Sequence, residues 1–179
     1  MKSHTAQPTA SAADIAAWFE GRLPSDWTSV DTPVIEVDRE EITVTIAIEA
    51  PGLADDADDS ARAEAAAGRM SAFREDTRDQ RIAIAREAEA RFDRKVSWGV
   101  RVGDRSALFT HLAVPAMTRL RQPERQVLDT LIAAGVARSR SDALAWCVRL
   151  VGRNTDDWLE KLRDAIDDVE RVRGEGPDA

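Results

Sequence analysis

One cysteine, two histidines and no long apolar run mark what this chain of 179 residues has little of, and each shortage removes a class of function. With Cys147 alone, no disulfide can close within the chain, and the neighbours Trp146, Val148 and Leu150 suit a thiol inside a helical core. His4 and His111 lie far apart with no cysteine or carboxylate at ligand spacing, so no metal is expected. No apolar run approaches the length of a membrane span. The opening MKSHTAQPTASAAD also lacks the basic-then-apolar build of a signal peptide, so a cytoplasmic place is expected. No serine sits in a nucleophile elbow, and no glycine-rich loop leads from a strand into a helix. Neither enzymatic activity nor a cofactor is expected.

What is present is charge, unevenly spread. The formal net charge is −8, which by itself opposes binding to a phosphate backbone. Between Met117 and Arg153, however, seven arginines (119, 121, 125, 138, 140, 149 and 153) face three acids, Glu124, Asp129 and Asp142. From Asn154 onward nine acids face four basic residues, so the acidity lies mostly outside the basic stretch.

The reading is α+β, in two parts. Residues 1–10 are small and polar and are expected to be disordered. Residues 11–105 read as one α+β domain. Ser11 caps a short helix carrying Ile15, Trp18 and Phe19 at helical spacing, stopped by Gly21 and Pro24. Ile35 and Val37, then Ile42, Val44, Ile46 and Ile48, alternate with other residues about a turn at Asp38-Arg39-Glu40, the pattern of a half-buried hairpin. After Pro51-Gly52, the acidic stretch from Ala54 to Asp59, with its pairs Asp55-Asp56 and Asp58-Asp59, reads as a loop. One long helix is then expected from about Ser60 to Phe92, weakest at Gly68, with the stripe Met70, Phe73, Thr77, Ile84, Ala88 and Phe92 lying on a sheet. Arg69, Arg74, Arg78 and Arg81 on that helix alternate with Glu75, Asp76 and Asp79 and read as an ion-paired surface, with a second DNA contact as the alternative. Val96, Trp98, Val100 and Val102 make a third strand ended by Gly103-Asp104, and residues 106–114 connect the two parts. The tryptophans at 18, 27 and 98 read as core, with a ligand pocket lined by the three as the alternative.

The stretch from Ala116 to Arg153, AMTRLRQPERQVLDTLIAAGVARSRSDALAWCVRLVGR, holds the densest pattern. A short polar strand over 116–121 leads to Pro123 in the first turn of a helix whose buried stripe is Val127, Leu128, Leu131 and Ile132, closed by Gly135. Ser139 with Asp142 three residues on has the form of a capping box for a second helix. That helix carries Leu144, Cys147, Val148 and Val151 on one face with Trp146 and Leu150 beside them, more apolar surface than two helices can cover. Dimerisation would supply the cover. A last amphipathic helix begins near Thr155, repeats Trp158, Leu162, Ala165, Val169 and Val172 at alternating spacings of four and three, and frays at Gly174, Gly176 and Pro177.

Residues 115–153 resemble the ribbon-helix-helix family of transcriptional regulators, most closely in the turn GVARSRSDAL and the helix after it. The resemblance implies a homodimer whose paired strands enter the DNA major groove, with Met117, Arg119 and Arg121 toward the bases. It implies that Arg138, Ser139, Arg140 and Ser141 lie at the phosphates, where a helix N-terminus favours an anion. Leu120, Leu144, Cys147, Val148 and Val151 would form the dimer core. The sequence departs from the family at Met117, where a polar residue is usual, and at Pro115, which removes a ladder donor. The expected function is DNA binding and transcription regulation at the nucleoid. The expected partners are double-stranded DNA, a second copy or a larger assembly of copies, and a protein or small molecule for residues 11–105. The alternative is the same dimer serving as a protein-interaction scaffold or an antitoxin-like partner.

Overall fold

The computed structural model describes residues 10–54 and 56–176, so the expected disorder at 1–9, Asp55, His4 and Pro177 lie outside the described residues. The chain divides into two compact units, Met1–Pro115 and Ala116–Ala179. Among the described residues no helix is long and apolar enough to cross a membrane.

The first unit is an α+β layer. Helix α1, Ala12–Arg22, starts on a full capping box in which the Ser11 hydroxyl accepts the Asp14 N–H and the Asp14 carboxylate accepts that of Ser11. A 3₁₀ turn, Ser25–Thr28, then buries Trp27. Strands β1 (Val34–Val37) and β2 (Glu41–Ala47) pair antiparallel across a turn in which the Asp38 carboxylate accepts the N–H groups of Glu40 and Glu41 at 2.8 and 2.7 Å. Strand β3 (Lys95–Val102) runs parallel to β2, and two helices, α2 (Asp59–Asp76) and α3 (Arg78–Phe92), supply the crossover that a parallel pair requires. Strand β4 (Arg105–Leu108) completes the order β1-β2-β3-β4. Ile42, Val44, Ile46, Val96 and Trp98 make the buried sheet face, packed with Ile15, Phe19, Ile84 and Ala88 from the helices.

Three expectations are corrected here. The long helix is broken, and at Thr77 rather than Gly68. The Thr77 hydroxyl donates back to the Phe73 carbonyl at 2.6 Å, competing with the helical ladder. The Arg81 guanidinium then donates to the Thr77 hydroxyl and to the Arg74 carbonyl, which holds the end of α2. Arg81 is therefore no part of an ion-paired surface: it is buried and lies 4.8 Å over the Phe109 ring. Only Arg78 of that set pairs as expected among the described residues, with Asp79 at 3.5 Å. Second, residues 105–108 form a strand where the end of the first domain and the start of a connection were expected. Gly103 takes φ +60, which lets the chain turn back tightly, and Leu108 lies over Gly99, where an added Cβ would stand 3.0 Å from the leucine methyl. Third, Asp58 is no loop charge, because its carboxylate caps α2 by accepting the Ala61 N–H, and Asp59 begins the helix.

The second unit is all helix. Helix α4 (Gln122–Ala133) has Pro123 in its first turn and ends at Gly135, whose φ of +74 allows the N–H groups of Gly135 and Val136 to reach back to the Ile132 and Leu131 carbonyls. Helix α5 (Arg140–Asn154) and helix α6 (Asp156–Glu175) follow, separated by Thr155 alone. The buried core is small: Leu128, Ala137 and Ala143, with Leu120, Leu131, Ile132, Leu144 and Cys147 partly buried around them.

Candidate nucleic-acid interface

The segment expected as a strand, Ala116–Arg121, belongs to no sheet within the chain. A β-ladder needs a second strand, and here the only sheet of the described residues is closed over β1 to β4. Arg121 instead stands at the N-cap of α4 with extended φ and ψ of −79 and 174. Met117 is wholly exposed, Arg119 and Arg121 are exposed, and Leu120 turns into the small core. The structure thus brings Met117, Arg119 and Arg121 to the surface on one short stretch ahead of α4.

The turn into α5 is built from side chains. Ser139, extended at φ −155, accepts the Asp142 N–H at 3.2 Å. The reciprocal half of the expected capping box is displaced by one residue, since the Asp142 carboxylate accepts the N–H of Arg138 at 3.0 Å rather than that of Ser139. The first turn of a helix leaves N–H groups without intrahelical acceptors. With Asp142 satisfied by the cap, the N–H groups of Arg140 and Ser141 remain for an acceptor from outside.

Arg140 is engaged differently from its expected role. Its guanidinium makes a two-point pair with Asp129 of α4, Nε and Nη2 each 2.8 Å from a carboxylate oxygen. These hydrogen bonds, and then the nearby charges of Arg140 and Arg125, hold the Asp129 carboxyl below the usual aspartate range, while Asp129 raises the Arg140 guanidinium. Asp129 and Arg125 were not singled out in the sequence. Arg125 donates to the Leu120 carbonyl at 2.7 Å and so ties α4 to the segment before it. Their signal lies in the helical hairpin itself, which sets the later turns of α4 beside the first turn of α5.

Of the expected dimer core, Leu120, Leu144 and Cys147 pack partly buried against the unit's own core, whereas Val148 and Val151 are more than half exposed. The tryptophan pocket does not form. Trp27 and Trp98 are buried edge to face at 5.9 Å, and Trp18 stands edge-on to Phe19 and Phe92. Of the three, Trp27 borders a cleft of the first unit about 400 Å³ in volume and rimmed by Asp26, Glu49, Arg69 and Asp76, and none borders a second cleft of about 470 Å³ between Arg39 and Val114.

Two family models match the chain: that of the Rv1265-like protein N-terminal domain over residues 13–108, and that of the Mb1296 C-terminal domain over residues 121–173. The chain is 59% identical over 172 residues to "Uncharacterized protein Mb1296" of Mycobacterium bovis and to "Uncharacterized protein Rv1265" of Mycobacterium tuberculosis. In each case the match covers 96% of this chain and 73% of the relative. No solved structure matches the chain.

Proposed function

The chain belongs to the Rv1265-like protein family, and from its residues we propose a homodimeric DNA-binding protein of the ribbon-helix-helix kind, acting as a transcriptional regulator. Residues 116–121 of two copies pair as an antiparallel ribbon and enter the major groove. One observation carries the reading: an unpaired segment bearing Met117, Arg119 and Arg121 leads directly into a helix pair whose second helix opens on a serine cap and leaves Val148 and Val151 uncovered. A second copy supplies at once the missing ladder partner and the cover for α5.

Arg119 takes the base-reading role, since guanidinium pairs in two-point fashion with guanine O6 and N7. Phosphate is held by the N–H groups of Arg140 and Ser141 at the positive end of α5. The Arg140 side chain, engaged by Asp129, positions that turn, and Arg138 lies exposed beside it. The first unit serves sensing or protein contact.

A mobility shift with mixed genomic fragments at low salt tests the reading: retardation at micromolar dimer is expected, and its absence removes it. Arg119→Ala is expected to cost about 1–3 kcal/mol on preferred sites and less on non-specific DNA. Equal losses on every sequence would reject base reading. Arg140→Ala is expected to weaken all DNA alike. The Asp129 pair and the acidic stretch after Asn154 favour a second reading, the same dimer as a protein-interaction scaffold. Under it the protein remains a dimer and retards no DNA.

A further inference from the structure

The apolar stripe of α6 has no part in the reading above. Trp158, Ile166, Val169 and Val172 are each more than half exposed along a helix of 20 residues, about 30 Å long at 1.5 Å per residue. Written as heptads, Leu162 and Val169 take position a, and Trp158, Ala165 and Val172 take position d. Leu159 and Ile166 then fall at e, and Lys161 and Asp168 at g.

The flanking positions say which occupant and which direction fit. In a parallel pair each g residue faces the e residue five places on in the other helix. That matches Asp168 with Arg173 of the second copy but sets the Lys161 ammonium against Ile166 of the second copy. In an antiparallel pair g faces g and e faces e. With the two-fold axis between Leu162 and Ala165, Lys161 meets Asp168 of the second copy twice over, and Leu159 meets Ile166 twice over. The larger side chains then oppose smaller ones, Leu162 against Ala165 and Trp158 against Val169, as an interdigitated interface requires. Charge and side-chain size are thus matched along the whole stripe when α6 lies antiparallel on a second α6.

We propose that α6 docks antiparallel on α6 of a second copy of this chain. The surface is self-complementary about a two-fold axis, as an isologous contact must be. It involves none of the residues of the ribbon or of the turn into α5, so it stands or falls apart from DNA binding.

Sedimentation velocity of the full-length chain over a concentration series tests it. Ile166→Asp changes a residue exposed in the single chain, so helicity is retained while association weakens at least tenfold. An unchanged mass distribution in that variant would overturn the proposal and assign the stripe to another surface. Lys161→Asp alone places two acids together and weakens association by roughly three- to tenfold, the scale of two exposed ion pairs. Lys161→Asp combined with Asp168→Lys restores it. Failure of the double variant to recover would overturn the antiparallel register.

Discussion

The two units of this chain solve the same problem in different ways. The first closes a core over one face of its four-stranded sheet, in which Ile15, Phe19, Ile42, Val44, Ile46, Ile84 and Ala88 are buried to 1% exposure or less. Among the described residues the second buries only Leu128, Ala137 and Ala143, and carries most of the large exposed apolar side chains, from Met117 to Val172. A layered sheet gives one chain enough apolar area to offset its own ordering. The three helices of the second unit bury far less. The first unit covers its apolar sheet face within one copy, whereas the second leaves apolar stripes on α5 and α6 exposed.

That comparison can be broken most directly at the cores. Phe19→Ala is expected to cost the first unit about 3–5 kcal/mol, with an unfolding midpoint in urea that does not move with protein concentration. The second unit is expected to show a midpoint that rises with concentration, because association stabilises only the folded state. Residue-resolved amide hydrogen exchange over the same urea series separates the two, through the amides of β2 and β3 for the first unit and of α4 and α5 for the second. A concentration-independent midpoint for both would erase the distinction.

A smaller effect is expected at the joint of α2 and α3. Thr77→Val keeps the shape but leaves the buried Arg81 Nε–H without its acceptor, at a cost of about 1–3 kcal/mol. The loss should register in the first unit alone. A cost under half a kcal/mol would mean that the Arg74 carbonyl and the Phe109 ring suffice to hold Arg81.

The smallest effect belongs to the exposed Asp129 and Arg140 pair. The Asp129 pKa is lowered in the folded chain, so its contribution is present above the ordinary aspartate value near ~3.9 and is lost as pH falls through the lowered one. A carboxyl titration followed by NMR should place Asp129 below the ordinary aspartate value. Arg140→Ala should raise it toward that value, and an unmoved midpoint would show that the pair is not held in solution.

Much of the fold was legible because local pattern and final structure agree. Ser11 with Asp14 announced α1, the alternation from Ile42 to Ile46 announced β2, and Pro123 and Gly135 bracketed α4. What escaped was decided at a distance. The break at Thr77 depends on Arg81 one turn later and on Phe109 from beyond the sheet, and neither bears on helical periodicity. Strand β4 has no alternation of its own and exists because Gly99 leaves room for Leu108. In the candidate interface the serine cap was visible and the engagement of Arg140 was not, since its partner Asp129 lies eleven residues away on another helix. The segment 116–121, expected as a strand, lies outside the sheet: the sequence pattern carries no information on which strand would pair with it.

Thr155 joins α5 to α6 as a lone non-helical residue, its hydroxyl donating to the Val151 carbonyl at 2.7 Å and its own carbonyl accepting from Trp158 and Leu159. Such a short hinge acts as a phase setting. Each residue of an α-helix advances by about 100°, so one residue inserted or deleted there would rotate the stripe of α6 by more than a quarter turn about its axis relative to α5. A change of length between Val151 and Trp158 would therefore turn the whole stripe away from the direction it now takes, whereas a change of side chain within that span would alter one contact and leave the direction as it is.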